Sequence, residues 1–249
     1  QLINHKSIKM KKSILICLLI FTHFTFSQFD NKSIEDLAFD FINTLSPDLK
    51  NRTIFDLETS ERTKFFFVPI ERKGTSFKDF DKYQKKAALK LLRASLSKKG
   101  FNKSEKIRQL EKVLLKTEIP RLVFNGKEII RDYLDYHFWL FGVPSKDSLW
   151  GWKFEGHHVS FNFTVKNNKI LSSTPSFLGA NPAVVNIEGF KKLQVLKSEM
   201  NLGSMLVSSF NIKQNKIAQF SKNAPIDIIT KNDFKARKIS PLGINYNEL

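Results

Sequence analysis

The chain predicts an α+β fold: a helical N-terminal half packed on a central, mainly antiparallel β-sheet, with further helices after it. Three observations carry this. Residues 33–116 hold helical periodicity, interrupted once by an apolar run. From about Asp132 the texture changes to alternating, aromatic-rich segments, and helical periodicity returns after about residue 190. No regular alternation of strand and helix runs through the chain, which argues against a parallel α/β sheet.

The elements follow in order. "SIEDLAFDFINTLS" (33–46) reads as a helix, with Ser33 as N-cap, Glu35 and Asp36 in the first turn, Leu37, Phe41 and Ile42 on one face, and Pro47 as its stop. "TKFFFVPI" (63–70) reads as a strand ended by Pro69 and bracketed by Arg62 and Arg72. Residues 77–97 predict a basic amphipathic helix with Phe80, Tyr83, Ala87, Leu91 and Ala94 in a stripe. Gly100 is expected to end it and Ser104 to cap a second helix, which turns Ile107, Leu110, Val113 and Leu114 inward and stops before Pro120. "YHFWLFGVP" (136–144) predicts a strand. Residues 152–177 predict a hairpin whose turn is Asn167-Asn168, since both residues tolerate positive φ. The Pro-, Gly- and Asn-rich loop 174–185 follows. Two helices are then expected, over "QVLKSEMNLGSMLVSSF" and "KQNKIAQF", with a short strand or extended segment at "PIDIIT".

The N-terminus bounds the compartment. From Met10 the chain has the form of a secretory signal peptide: Lys11 and Lys12, an apolar run Ile14–Phe21, and small residues Thr25 and Ser27 before Gln28. Residues 1–9 are read as translated from upstream of the true start, residues 10–27 as the signal peptide, and residues 28–249 as a single α+β domain. The apolar run is too short for a stable membrane span, which needs about 20 residues. The expected location is periplasmic or extracellular. Cys17, the sole cysteine, falls inside the signal peptide. The exported chain then has no disulfide, no thiolate nucleophile and no Cys-ligated metal. The net charge is +17, of which the four lysines before the cut account for four. The lysines are scattered through helices without a nucleic-acid motif, so the charge reads as a solvated surface and nucleic acid is not an expected partner.

Chemistry concentrates in "WGWKFEGHHVSFNFTV" (150–165). Of five histidines, His137, His157 and His158 lie beyond the signal peptide. Taken as one strand, Glu155, His157, Val159, Phe161 and Phe163 share one face, while His158, Ser160, Asn162 and Thr164 share the other. On this reading Glu155 holds His157 at the mouth of the core face. The polar face either meets water or lines a cleft. In the cleft version His158, His157 and Glu155 are the candidate catalytic residues, and Ser160, Asn162, Asn181 and Trp152 are candidate substrate contacts. A metal would be held by His158, combined with His137 from the neighbouring strand. Neutral imidazole suits a divalent transition metal such as zinc, copper or iron. No HExxH, GxSxG, P-loop or GxGxxG motif occurs.

"FGVPS" (141–145), the Gly-His-His segment and "TPSFLGANPAVV" (174–185), in this order, resemble the family catalogued as domain of unknown function 3500, found largely in bacterial exported proteins. "FFFVPIERKG" (65–74), "QKKAALKLLRASLSKKGF" (84–101) and "IRQLEKVLL" (107–115) extend the resemblance over nearly all of the exported chain. It implies no established activity. It does imply that His157, His158, Ser160 and Asn162 are the positions of interest, with Pro175, Gly179, Asn181 and Pro182 shaping the adjacent loop. It also implies that the chain is C-terminally incomplete, lacking further histidine-bearing strands. The leading expectation is an exported metal-dependent enzyme acting on a substrate the sequence does not name. The alternatives are a non-enzymatic ligand-binding module, with "WGW" as a stacking platform, or a purely structural histidine pair.

Overall fold

The protein is described from a computed structural model, covering residues 32–124, 126–235, 237, 240 and 243–249. The signal-peptide reading of residues 10–27, and that of residues 1–9, lie outside the described residues. The features below fall in one compact unit, Ile34–Leu249. Among the described residues no helix is long and apolar enough to cross a membrane.

Helix α1 (Ile34–Thr44) buries Leu37, Ala38 and Phe41. Its first turn is tied to a distant loop: Ile34 N–H donates to Asn168 Oδ1 (2.9 Å) and Asn168 N–H donates to Glu35 Oε1 (2.7 Å). Pro47 ends α1 as expected, and with Ser46 as cap it also opens α2 (Pro47–Thr53). Strand β1 (Ile54–Phe55) follows, then β2 (Thr75–Ser76).

Helix α3 (Lys82–Ala94) starts later than its periodicity predicts, because the Asp81 carboxylate accepts from the N–H groups of Tyr83 and Gln84 and fixes the start there. Its inward stripe is Gln84, Ala88, Leu91 and Leu92, while Tyr83 is 76% exposed. Helix α4 (Lys98–Thr117) is capped by Ser97, not Ser104. Ser104 lies buried inside the helix with its hydroxyl on Phe101 O. Ile107, Leu110, Val113 and Leu114 do turn inward.

A small pair, β3 (Val123–Phe124) and β4 (Lys127–Glu128), precedes the main strands β5 (His137–Phe141), β6 (Trp150–Gly156), β7 (Val159–Lys166), β8 (Lys169–Ser172) and β9 (Ser176–Leu178). The sheet runs β1-β5-β6-β7-β8, with β2 also on β5 and β9 also on β7. Every pairing is antiparallel except β1 with β5. Asn167 and Asn168 make the β7–β8 turn, both at positive φ. Helices α5 (Lys197–Ser209) and α6 (Ile212–Ala218) follow and bury no residue. "PIDIIT" forms no strand.

The sheet has two dissimilar faces. Phe138, Leu140, Trp152, Phe154, Phe161, Phe163 and Val165 form the core with α1 and α3. Phe138 lies 4.8 Å from Phe154, and Trp152 stacks on Phe163 at 4.6 Å. Lys153, Glu155, Ser160, Asn162 and Thr164 belong to the other face. That face neither meets water nor opens as a cleft along its length, because residues 61–73 cover it. The "TKFFFVPI" segment is therefore not a strand. Its backbone groups bond to side chains on the sheet. Phe66 N–H donates to Glu155 Oε2 (3.0 Å), Lys153 Nζ donates to Glu61 O (3.0 Å) and Lys64 O (3.2 Å), and Arg72 donates to Phe66 O and Val68 O. Lys153 also lies 4.1 Å over the Trp139 ring, and its burial lowers the ammonium pKa.

The Arg72–Glu155 pair at 3.2 Å, with side chains 3% and 1% exposed, holds this cover in place. Removing one partner of a buried pair leaves an uncompensated charge, which costs about 3–5 kcal/mol. Glu155→Ala is expected to lower unfolding stability by roughly that amount, read as a shift of the urea midpoint. A change within error would show that the pair does not hold the cover.

Candidate functional site: a histidine turn

His157 and His158 do not lie on a strand. Gly156 pairs with Val159, so the two histidines are the two-residue turn between β6 and β7. His158 has φ +59°, the left-handed region that few non-glycine residues enter. The rings lie side by side, with centroids 4.1 Å apart and planes 35° apart, instead of diverging as strand parity would require. The turn also reverses part of the parity reading. Across it Glu155 pairs with Ser160, so Glu155 belongs to the polar face and cannot be the partner of His157.

The turn is clamped from three sides. Tyr136 O–H donates to His157 O (2.7 Å), His158 N–H donates to Phe67 O (2.8 Å), and Gly179 N–H donates to His158 O (2.9 Å). Gly156 is required for the first clamp, since a Cβ there would lie 2.4 Å from the Tyr136 ring.

The His157 ring has a built setting. Its Nδ1 lies 2.5 Å from Glu111 Oε1 on α4 and 3.3 Å from Arg131 Nη1. A carboxylate only accepts, so Nδ1 carries the proton toward Glu111, and in the neutral ring the lone pair falls to Nε2. Arg131 is held by a two-pronged pair to Glu118 (2.7 Å each). Those hydrogen bonds keep the Glu118 carboxyl below its usual pKa against the opposing effect of burial. A void of about 20 Å³, enough for about one water, is lined by Arg72, Glu111, Arg131, Asp135, Tyr136 and His157.

His158 is the opposite case. It is half-buried, its Nδ1 is buried without a hydrogen-bond partner among the described residues, and its ring edge meets Phe177, which stacks on Phe67 at 4.2 Å. Burial, then the electrostatic influence of the neighbouring His157 and Arg131, pushes the His158 pKa down from 6.5 to about 4. Above that pH the ring is neutral. Nε2 of neither histidine makes a hydrogen bond to another described residue.

The other sequence-derived positions scatter. His137 opens β5, with Nδ1 2.6 Å from Gly74 O and Nε2 3.0 Å from Asp135 Oδ1. Both ring nitrogens are engaged, so the expected metal pair of His137 with His158 does not form. Ser160 donates to Glu155 Oε2 (2.9 Å) and Asn162 donates to Pro175 O (2.8 Å). They brace the polar face. Trp152 is a core residue, and Asn181 is exposed on its loop. Among the described residues no three His, Asp or Glu side chains converge as a metal cage. The sequence reading missed Glu111, Glu118 and Arg131. Glu111 alone left a trace, as a carboxylate inside the inward stripe of α4 beside Ile107, Leu110 and Leu114.

Fold and site define an α+β protein with a clamped histidine turn at one end of its sheet. The chain belongs to the family described as Protein of unknown function (DUF3500), which matches residues 28–249. No curated protein and no solved structure matches it.

The lowered pKa of His158 fixes a sign. Between about 4 and 6.5 the unfolded chain binds a proton that the folded chain rejects, so stability falls as pH is lowered through that window. Urea midpoints of the wild type are expected to drop from pH 6.5 to 4, and His158→Asn is expected to flatten the drop. An unchanged slope in the variant would remove His158 as its source.

Proposed function

We propose that the protein is an exported, metal-dependent enzyme whose site is the His157–His158 turn. The observation that carries this reading is the pair of imidazoles 4.1 Å apart, with Glu111 on Nδ1 of His157 and no hydrogen-bond partner for either Nε2 among the described residues. A carboxylate on the far nitrogen of a histidine is the arrangement that fixes the tautomer of metal-ligating histidines and raises their basicity. Two imidazole donors suit zinc, copper or iron. Further ligand positions would fall to solvent or substrate, since no third acidic or imidazole donor joins the pair among the described residues. A metal held there would supply Lewis-acid polarisation of a substrate oxygen. The protein's own residues orient and shield: Glu111 fixes the His157 ring, Arg131 pairs with Glu118 and lies within ion-pair distance of Glu111, and Phe67 with Phe177 closes one side of His158.

Export is the second part of the proposal, supported by the Met10–Ser27 pattern and the confinement of Cys17 to it. Mass analysis of the secreted protein is expected to show a chain starting at Gln28.

Metal analysis of purified protein, with equilibrium dialysis against Zn²⁺, Cu²⁺ and Fe²⁺, tests the site. About one ion per chain is expected. Glu111→Gln is expected to weaken binding about 10–100-fold, and His158→Ala to abolish it while the far-UV circular dichroism stays unchanged. A folded wild type that binds none of the three ions overturns the reading. So does a His158→Ala variant that loses only melting temperature.

A further inference from the structure

At the other end of the polar face lies a cavity of about 240 Å³, bounded by Arg62, Asn162, Thr164, Thr174 and Pro175 over a wall that includes Phe141. It is lined by β7, by residues 62–63 of the cover and by residues 174–175, with Phe141 of β5, Trp152 of β6 and Phe234, and it shares no lining residue with the histidine turn. Its electrostatics set it apart. The buried arginine side chains elsewhere are each neutralised: Arg72 by Glu155, Arg108 by Glu105, Arg131 by Glu118. Arg62 is half-buried, and its hydrogen bond is to the neutral Thr164 Oγ1 at 3.2 Å. No carboxylate lies within ion-pair distance of it among the described residues.

The sheet makes room for this guanidinium. Gly151 faces Thr164 across the β6–β7 ladder. A Cβ at Gly151 would lie 2.7 Å from Phe163 O and 3.8 Å from Arg62 Nε, so the absent side chain leaves the sheet surface open beneath the arginine. Around the charge stand neutral polar groups, the Asn162 amide and the Thr63 and Thr174 hydroxyls, beside aromatic carbon from Phe141. A planar fork of donors matches a carboxylate in two-pronged fashion. The volume lies below the range of about 300–1,000 Å³ typical of drug-sized ligands.

We infer that the Arg62 cavity is a binding site for a small carboxylate carried on a flat, apolar body. Arg62 takes the charge, Asn162 and the threonine hydroxyls orient the ligand, and the aromatic wall meets its body. The site does not depend on the histidine reading.

Titration of the purified protein with benzoate, benzamide and inorganic phosphate, followed by calorimetry and by the amide NMR signals of residues 62, 162–164 and 174, tests the assignment. Benzoate is expected to bind and to shift those signals. The neutral benzamide is expected to bind at least about 10-fold more weakly. Arg62→Gln is expected to lose benzoate binding by a similar factor with unchanged melting temperature, and Arg62→Lys to recover only part of it. Four outcomes overturn the proposal: no saturable benzoate binding, binding insensitive to Arg62→Gln, equal binding of benzamide, or binding of phosphate alone. Should Arg62→Gln unfold, Asn162→Ala takes its place, with the same shifts and the same losses expected.

Discussion

The buried carboxylate of Glu155 is the constraint from which the rest of the architecture follows. An ionised group on a central strand costs several kcal/mol to desolvate unless its oxygens are fully used. Here Arg72, the Phe66 N–H and the Ser160 hydroxyl use them. Satisfying Glu155 draws residues 61–73 across the sheet. Once drawn there, that segment cannot form a ladder of its own, and Arg72 and Lys153 take up its carbonyls. The cover then supplies Phe67 O to the His158 N–H. The histidine turn is thus held in part by the device that buries the polar face.

Within that turn the two histidines carry different energetic signs. His157 is satisfied at Nδ1 and on its backbone carbonyl, and its setting makes structural sense. His158 sits where the fold would prefer another residue. Left-handed backbone costs an L-residue roughly 1–2 kcal/mol, and an unpartnered buried polar atom roughly 1–3 kcal/mol. Glycine would relieve both and asparagine the first. Folding alone does not explain an imidazole there, and strained, unsatisfied groups of this kind concentrate at functional sites. The structural-pair reading fits His157 well and His158 poorly.

The sequence made the fold class legible because the helical and alternating periods of α1, α4, β5 and β7 are each set by local burial. It placed the Asn167-Asn168 turn for the same reason: the chemistry of that turn is local. It failed at His157-His158 because nothing local marks that pair as a turn. Histidine is not a preferred turn former, and the alternation of 159–165 extends backward through it without a break in pattern. The error then propagated, since a two-residue turn moves Glu155 to the face opposite the one assigned. The strand reading of 63–70 failed for a different cause. Phe65 and Phe67 alternate inward as in a strand, but the partners of their backbone are side chains, which periodicity cannot reveal. The contacts among His157, Glu111, Arg131 and Glu118 join residues 13 to 46 positions apart through the fold, and no local spacing encodes them.

The histidine turn leads into β7 and the Arg62 cavity lies further along that strand, and this sets what a single ligand can do. From His158 to Thr164 is six residues of β7, about 20 Å of extended chain. Between them Glu155, Ser160 and Asn162 form a line of satisfied hydrogen bonds ending on Pro175 O. Such a network is rigid, because each member holds the next in one orientation. A ligand small enough for 240 Å³ therefore cannot touch the histidines, and a ligand reaching both places would be an extended one lying along the rim of the cover. The two sites stand or fall separately for small molecules. Only a long substrate would couple them.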